Sequence, residues 1–518
     1  MPPVERAAIG ELWRREIVPA LREYVRIPCL SPAFDPGWAA RGEIERAALF
    51  LRDWCRAQPL PGLRAEVHRL PGRTPALVVD VPASGGAGPG GADPGDAGPG
   101  DAQTGGAGPG GVQSGGAGPG GTGPGGAEGT VLVYGHLDKQ PPFEGWRQGL
   151  GPFEPVVEGD RLYGRGAADD GYAVFAAIGA LELLGSPRPR VVVLVEASEE
   201  SGSPDLEAHL DALADVVGVP RLVICLDSGC LTYDRIWTTS SLRGNVVATV
   251  RVDVLEEGVH SGLAGGIVPC SFRVLRQLLD RIEDPATGEV RLPQAHGPSG
   301  AGALVGTAVA GAGPRHASAG TGTGTGLPPV ALPVVPGLRL AGATPAEQLA
   351  RRAWEPALAV TGAAGLPDPA AAGNVLRPST TIKLSLRLAP TARAREAADA
   401  LVAVLGADPP DGARVTVQVE TPADGWVAPV PEPWVADALD RASHEAFGAP
   451  AASYGEGGTI PFLASLGRRF PGTQLVATGV LGPQSNAHGP NEFLHLPMGQ
   501  AVTGAVGHLV AAAARSIG

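Results

Sequence analysis

Four short, unbroken apolar runs constrain this chain more than any other feature: VLVYG at 131–135, VVVLVE at 191–196, LVICLD at 222–227 and QLVATG at 474–479. A run without polar alternation suits a strand buried on both faces, and such strands belong to mostly parallel sheets covered by helices. Helical patterns lie between the runs at 172–185 and 206–216, with amphipathic helices at 5–27 and 41–57 and a strand at 76–81. The alternation predicts an α/β layer structure with a mostly parallel sheet. From 238 to 424 the pattern changes. NVVATVRVDV (245–254), TTIKLSLRLAP (380–390) and ARVTVQVE (413–420) alternate as half-exposed antiparallel strands do. The chain therefore reads as one domain over 1–237 and 425–518, interrupted by an inserted α+β domain at 238–424. A helix at 433–446 leads back into the first domain.

With 518 residues the chain is long enough for two or three domains. Two stretches fall outside any core: 84–128, where GGAGPGG occurs at 85, 105 and 115, and the Gly/Ala/Thr-rich 297–326. Such sequence has little apolar surface to bury and is expected to form disordered surface loops. The net charge of −13 excludes a nucleic-acid partner that needs clustered Lys and Arg. No apolar run approaches the roughly 18–20 residues that cross a bilayer. The charged start, MPPVERAAIGELWRREIV, lacks the apolar stretch of a signal peptide. Five scattered cysteines fit reduced thiols in a cytoplasm better than a disulfide framework. No CxxC pair occurs, so a metal site here has to use His and carboxylates.

Each buried run leads into a residue able to bind metal. VLVYG runs into His136-Leu-Asp138, VVVLVEAS into Glu199-Glu200 and LVICL into Asp227, while QLVATG is followed, after a loop, by His488. Sites in open α/β sheets form outside the carboxyl ends of strands. Four strand ends thus bring His, Glu, Asp and His to one edge, beside a loop carrying Asp169 and Asp170. Taken singly, each has a plain structural explanation, as a hydrogen-bonded His, a helix cap or a solvated acidic pair. Together they form a ligand set. Asp138, two residues beyond His136, is placed to accept the imidazole N–H and orient the ring. Adjacent Glu199 and Glu200 cannot both point at one ion, so one should ligate and the other hold the proton of the attacking water. Asp169 is the natural bridging carboxylate. With Asp169, Glu200 and Asp227 ligating, a bridging hydroxide balances two divalent ions. Such ions, roughly 3.5–4 Å apart, stabilise both attacking and carbonyl oxygens. The ligand types suit zinc or manganese.

The strings YGHLDKQP, LYGRGAADD, EASEESGS, CLDSG, LRG, HSG, EGGTIP and NAHGPNE resemble those of the metallopeptidase family of cytosolic nonspecific dipeptidase and carnosinase. Acetylornithine deacetylase and succinyl-diaminopimelate desuccinylase are more distant relatives of it. The resemblance implies a di-metal hydrolase domain with an inserted lid or dimerisation domain. It implies that His136, Asp169 and Asp227 hold one ion, and Asp169, Glu200 and His488 the other. Glu199 would be the general base and Asp138 the support of His136. In a homodimer, His260 of HSG would reach the partner subunit's site and stabilise the oxyanion. Asn374, Arg387, Glu456 and Thr459 match positions that hold substrate carboxylate or oxyanion. The implied substrate is a dipeptide or short peptide. An N-acyl amino acid, cleaved by a deacylase, is the alternative, and a catalytically silent metal-bound scaffold is a third reading. Two positions depart from the family pattern: Gly171 replaces its usual Lys after the Asp pair, and Gly455 its usual Arg before EGG.

Overall fold

The computed structural model describes residues 5–85, 128–297, 311–312, 332, 334–420 and 422–517. The stretches expected to be disordered at 84–128 and 297–326 lie almost wholly outside the described residues.

Five strands of the first segment are named β1 (Arg64–His68), β2 (Ala76–Val81), β3 (Glu128–His136), β4 (Val191–Glu196) and β5 (Val219–Cys225). The middle of the chain supplies β6 (Gly244–Asp253), β7 (Ala357–Ala364), β8 (Ser379–Leu388) and β9 (Arg414–Val419), and β10 (Gln474–Ala477) follows. A six-stranded sheet has the order β1-β2-β4-β3-β5-β10. Its strands β3, β4, β5 and β10 run parallel, and β1 and β2 pair antiparallel at one edge. The apolar runs are unbroken because both faces are covered. Val131, Val133, Val191, Val193 and Val195 face a core built with Leu12, Trp13, Phe175 and Val506. The alternate residues Leu132, Tyr134, Val192 and Leu194 face a second core with Leu206, Leu210, Phe462 and Leu463. Strand periodicity of two divides each run between the cores.

Helix Tyr172–Leu184 lies in the first layer and is buried over nearly its whole length, as its uniformly apolar sequence requires. The helix expected at 5–27 is continuous but widens into a π turn at Trp13–Ile17. There the indole donates to Thr503 Oγ1 at 3.0 Å and packs against Gly499, where any side chain would collide with it. The segment 206–216 forms two helices, Leu206–Ala212 and Ala214–Val217.

Strands β6–β9 form a separate antiparallel sheet in the order β7-β8-β6-β9. Burial alternates along β6 and β8. The buried face packs against helices Ser271–Leu279 and Ala394–Gly406 in a core of its own. The edge strand β7, mostly exposed, was not expected from sequence. Among the described residues, no helix is long and apolar enough to cross a membrane.

Candidate metal centre

Parallel strands point their carboxyl ends the same way, so residues following β3, β4, β5 and β10 converge. His136 closes β3, Glu199 and Glu200 sit on a 3-10 turn after β4, and Asp227 lies two residues past β5. Asp169 comes from a buried loop between Gly164 and the helix starting at Tyr172. His136 Nε2 lies 3.2 Å from Asp169 Oδ1 and 3.9 Å from Asp227 Oδ1. On the other side of Asp169, its Oδ2 is 2.9 Å from His488 Nε2, which is 3.4 Å from Glu200 Oε2. Two donor groups result, His136–Asp169–Asp227 and Asp169–Glu200–His488, with all ligand atoms of each within 4.8 Å of one another. Asp169 belongs to both.

The surrounding residues hold these groups in place. His136 Nδ1 lies 3.0 Å from the backbone carbonyl of Asp138 and 3.6 Å from its carboxylate. The Asp138 carboxylate instead accepts the backbone N–H groups of Glu199 and Glu200, each at 3.1 Å. One residue thereby ties the His136 strand to the glutamate turn. Gln140 donates to Glu200 Oε2 at 2.6 Å, and Asp170 accepts the backbone N–H of His136 at 3.2 Å. Glu492 pairs with Arg165 at 2.5 Å, both side chains being almost wholly buried. It also accepts the Gly166 N–H, while Arg165 donates to the Gly489 carbonyl. That clasp fastens the Asp169 loop to the His488 loop. The latter is a tight turn in which Gln484, Asn486, His488 and Asn491 all have left-handed φ. His488 is the most open ligand, its side chain 53% exposed. Sequence reasoning assigned no role to Gln140, Arg165 or Glu492, although YGHLDKQP, LYGRGAADD and NAHGPNE contain them.

The carboxylates of the two donor groups outnumber the two imidazoles among them. Burial, with Asp169 nearby, pushes Asp227 up to about 7, and burial and Asp169 push Glu200 up to about 8. Burial and Asp227 raise Glu199 well above the carboxylate range. For Asp169 the opposite holds, because hydrogen bonds from His136 and His488 outweigh its burial. Five donors of imidazole and carboxylate type, packed this closely and crowded with negative charge, fit divalent cations.

The remaining predicted residues lie elsewhere. His260 is exposed, its Nδ1 accepting the Gly262 N–H at 3.0 Å. Asn374 is also exposed, and its carbonyl accepts from Ser261. Both sit on one small antiparallel ribbon, Val259–His260 with Val375–Leu376, in the middle segment. Arg387, on β8, donates to Thr459 Oγ1 at 2.9 Å, and Thr459 donates to the Arg243 carbonyl. Glu456 accepts from Ser228 Oγ at 3.0 Å and from the Gly229 N–H, beside Asp227. The two departures have packing reasons. A Cβ at Gly171 would stand 2.1 Å from the Tyr24 ring, and one at Gly455 would meet Ser241 Oγ at 2.6 Å and Ala353 Cβ at 2.7 Å.

Residues 132–512 match the model of peptidase family M20/M25/M40, and the chain belongs to that family. It is thus a metallopeptidase by class. Among its relatives, the cysteinylglycine-S-conjugate dipeptidase of Corynebacterium striatum is 27% identical over 391 residues, covering 72% of this chain and 80% of that protein. The human Beta-Ala-His dipeptidase is 33% identical over 172 residues, 32% of this chain and 34% of the relative. The solved structure of the di-peptidase Dug1p from Saccharomyces cerevisiae shares the fold, with a TM-score of 0.71 at 19% identity over 98% of both chains.

Proposed function

We propose that this chain hydrolyses the amide bond of dipeptides or short peptides, using two divalent ions. The observation that carries the reading is the pair of donor groups sharing Asp169, with Glu199 on the turn next to Glu200. The names of the dipeptidase relatives support it. His136, Asp169 and Asp227 would hold one ion, and Asp169, Glu200 and His488 the second. When bound, such ions polarise a carbonyl and acidify water near neutral pH. Glu199 accepts the proton of that water and delivers it to the leaving amine. Asp138 keeps the Glu199 and Glu200 amides fixed while the proton moves. Arg387, braced by Thr459, offers a planar guanidinium to the substrate carboxylate, and Asn374 and Glu456 complete the substrate contacts.

Zinc suits the donor set, with manganese the competitor. The exposed His260 serves the partner subunit's centre in a homodimer, so 238–424 acts as lid and dimerisation domain while 1–237 and 425–518 carry the metals. The five free thiols support a reducing, cytoplasmic setting.

Elemental analysis of purified protein should find two divalent ions per chain, and chelation should abolish dipeptide hydrolysis reversibly. Glu199→Gln should retain both ions yet lose at least about 100-fold in kcat. Full activity of that variant would exclude the proton role. Hydrolysis of N-acyl amino acids but not of dipeptides would instead make the enzyme a deacylase.

A further inference from the structure

Three arginines gather around the Glu456–Thr459 loop, and none of them pairs with a carboxylate among the described residues. Arg243 donates to the carbonyls of Gly457, at 3.2 Å, and Glu355, at 3.1 Å. Arg387 donates to the Thr459 hydroxyl. Arg352 approaches from a different element, the helix Pro345–Trp354, which a Thr344–Glu347 capping box starts and buried Leu349, Ala353 and Trp354 anchor. Its Cγ and Arg243 Nη2 lie 3.0 and 3.1 Å from the point where a Gly457 Cβ would stand. The neighbouring Arg351 pairs with Glu355 at 3.2 Å. By contrast, the buried Nε of Arg352 has no hydrogen-bond partner among the described residues. The same holds for two further buried groups beside Gly455, Trp354 Nε1 and Ser241 Oγ. The positive charges are felt locally: burial, then Arg387 and Arg352, lower Arg243 to about 10. Glu456 does not neutralise them, because its carboxylate is engaged by Ser228, Gly229 and Thr239. Those contacts set the start of the loop against the residues following Asp227, while Arg243 and Arg387 bond to Gly457 and Thr459 further along it.

We propose that Arg352 and Arg243 form a second anion subsite beside Arg387, which selects substrates whose carboxyl-terminal residue has an acidic side chain. The proposal rests on the hydrolase reading above. One carboxylate satisfies Arg387 and leaves the like charges of Arg243 and Arg352, the latter 5.8 Å from the Tyr454 ring centroid, without a counter-ion. A second carboxylate, placed between Arg352 and Arg243, relieves that repulsion. Room for Arg352 exists because position 455 is glycine: its Cβ site is filled by Ser241 and Ala353, and the helix bearing Arg352 packs there in place of a side chain. Arg352 is a specificity-determining residue on this account.

Gly-Glu and Gly-Gln are isosteric and differ by the one charge. The metal-loaded enzyme should favour Gly-Glu in kcat/KM by at least about tenfold, the scale of one charge-assisted hydrogen bond. Arg352→Met should erase that preference through KM and leave Gly-Gln within about twofold of its original rate, a shift well below one hydrogen bond. Arg352→Gln serves the same purpose if the first variant melts early. Equal rates on both dipeptides, or a preference that survives both variants, would overturn the subsite and leave the hydrolase reading intact. A second readout needs no turnover. Calorimetric titration of N-acetylglutamate and N-acetylglutamine onto chelator-treated protein should show the same discrimination and the same loss. Discrimination in binding with no hydrolysis of any dipeptide would keep the subsite and sink the hydrolase reading.

Discussion

Glu492 shows how much a single buried side chain can control here. Its carboxylate holds the Arg165 guanidinium and the amide of Gly166, so removing it strands a cation with almost no access to water. Breaking one partner of such a pair costs about 3–5 kcal/mol. Glu492→Ala should lose stability of that order in urea melts of the metal-free protein. It should also release one ion more readily than wild type, because His488 stands on the loop that Arg165 fastens through Gly489. Unchanged melts would mean that the clasp is incidental. At this scale the ligands were legible and their supports were not. His136, Glu200 and Asp227 follow directly from buried strands, where a polar residue has few other uses. Gln140 and Arg165 lie within the strings YGHLDKQP and LYGRGAADD, yet their roles were not legible there, nor was that of Arg352, since what engages them arrives from distant parts of the chain. Asp138 was read as the partner of an imidazole, yet its carboxylate mainly accepts two backbone amides that no spacing rule reveals.

Among elements, the two antiparallel strands at the edge of the central sheet are pinned by Asp80. In register opposite Arg64 on β1, it accepts from Arg64 at 2.6 Å and from Arg190, which leads into β4, at 2.8 Å. Burial alone would raise the Asp80 carboxyl, but hydrogen bonds from Arg190 and Arg64 win and hold it below its ordinary value. A folded-state pKa below the unfolded one, about 3.9, gives stability that is complete above that value. It fades as pH falls through the lower folded value. Asp80→Asn should therefore cost about 1 kcal/mol at pH 7, a figure discounted for solvent around Arg64. The deficit should vanish in strongly acidic melts of the metal-free protein; a constant deficit would refute the charge origin. Strand positions in the central sheet were readable because unbroken apolar runs have one common use. The edge strand β7 was not, because ALAVTGAA consists mainly of small residues and both of its faces meet solvent.

For the whole molecule, the question is whether one chain suffices. His260 and Asn374 lie exposed on a ribbon of the middle segment. If His260 serves the opposite subunit, His260→Ala and Glu199→Gln should each be crippled, while mixed dimers of the two recover part of the activity. Mixtures that stay inactive after subunit exchange would point to self-contained sites. Both the two-layered sheet and the separate middle sheet could be anticipated, since a change from continuous to alternating hydrophobicity marks the transition. The ribbon itself could not, because a two-residue strand pair leaves no local pattern. The spacing of the ligands also has a consequence for biosynthesis. His136, Asp169 and Asp227 have all been translated long before His488 emerges, so the first donor group is complete in sequence while the second still lacks a member. The second group stays without one of its three members until His488, far beyond Asp227 in the chain, has been made.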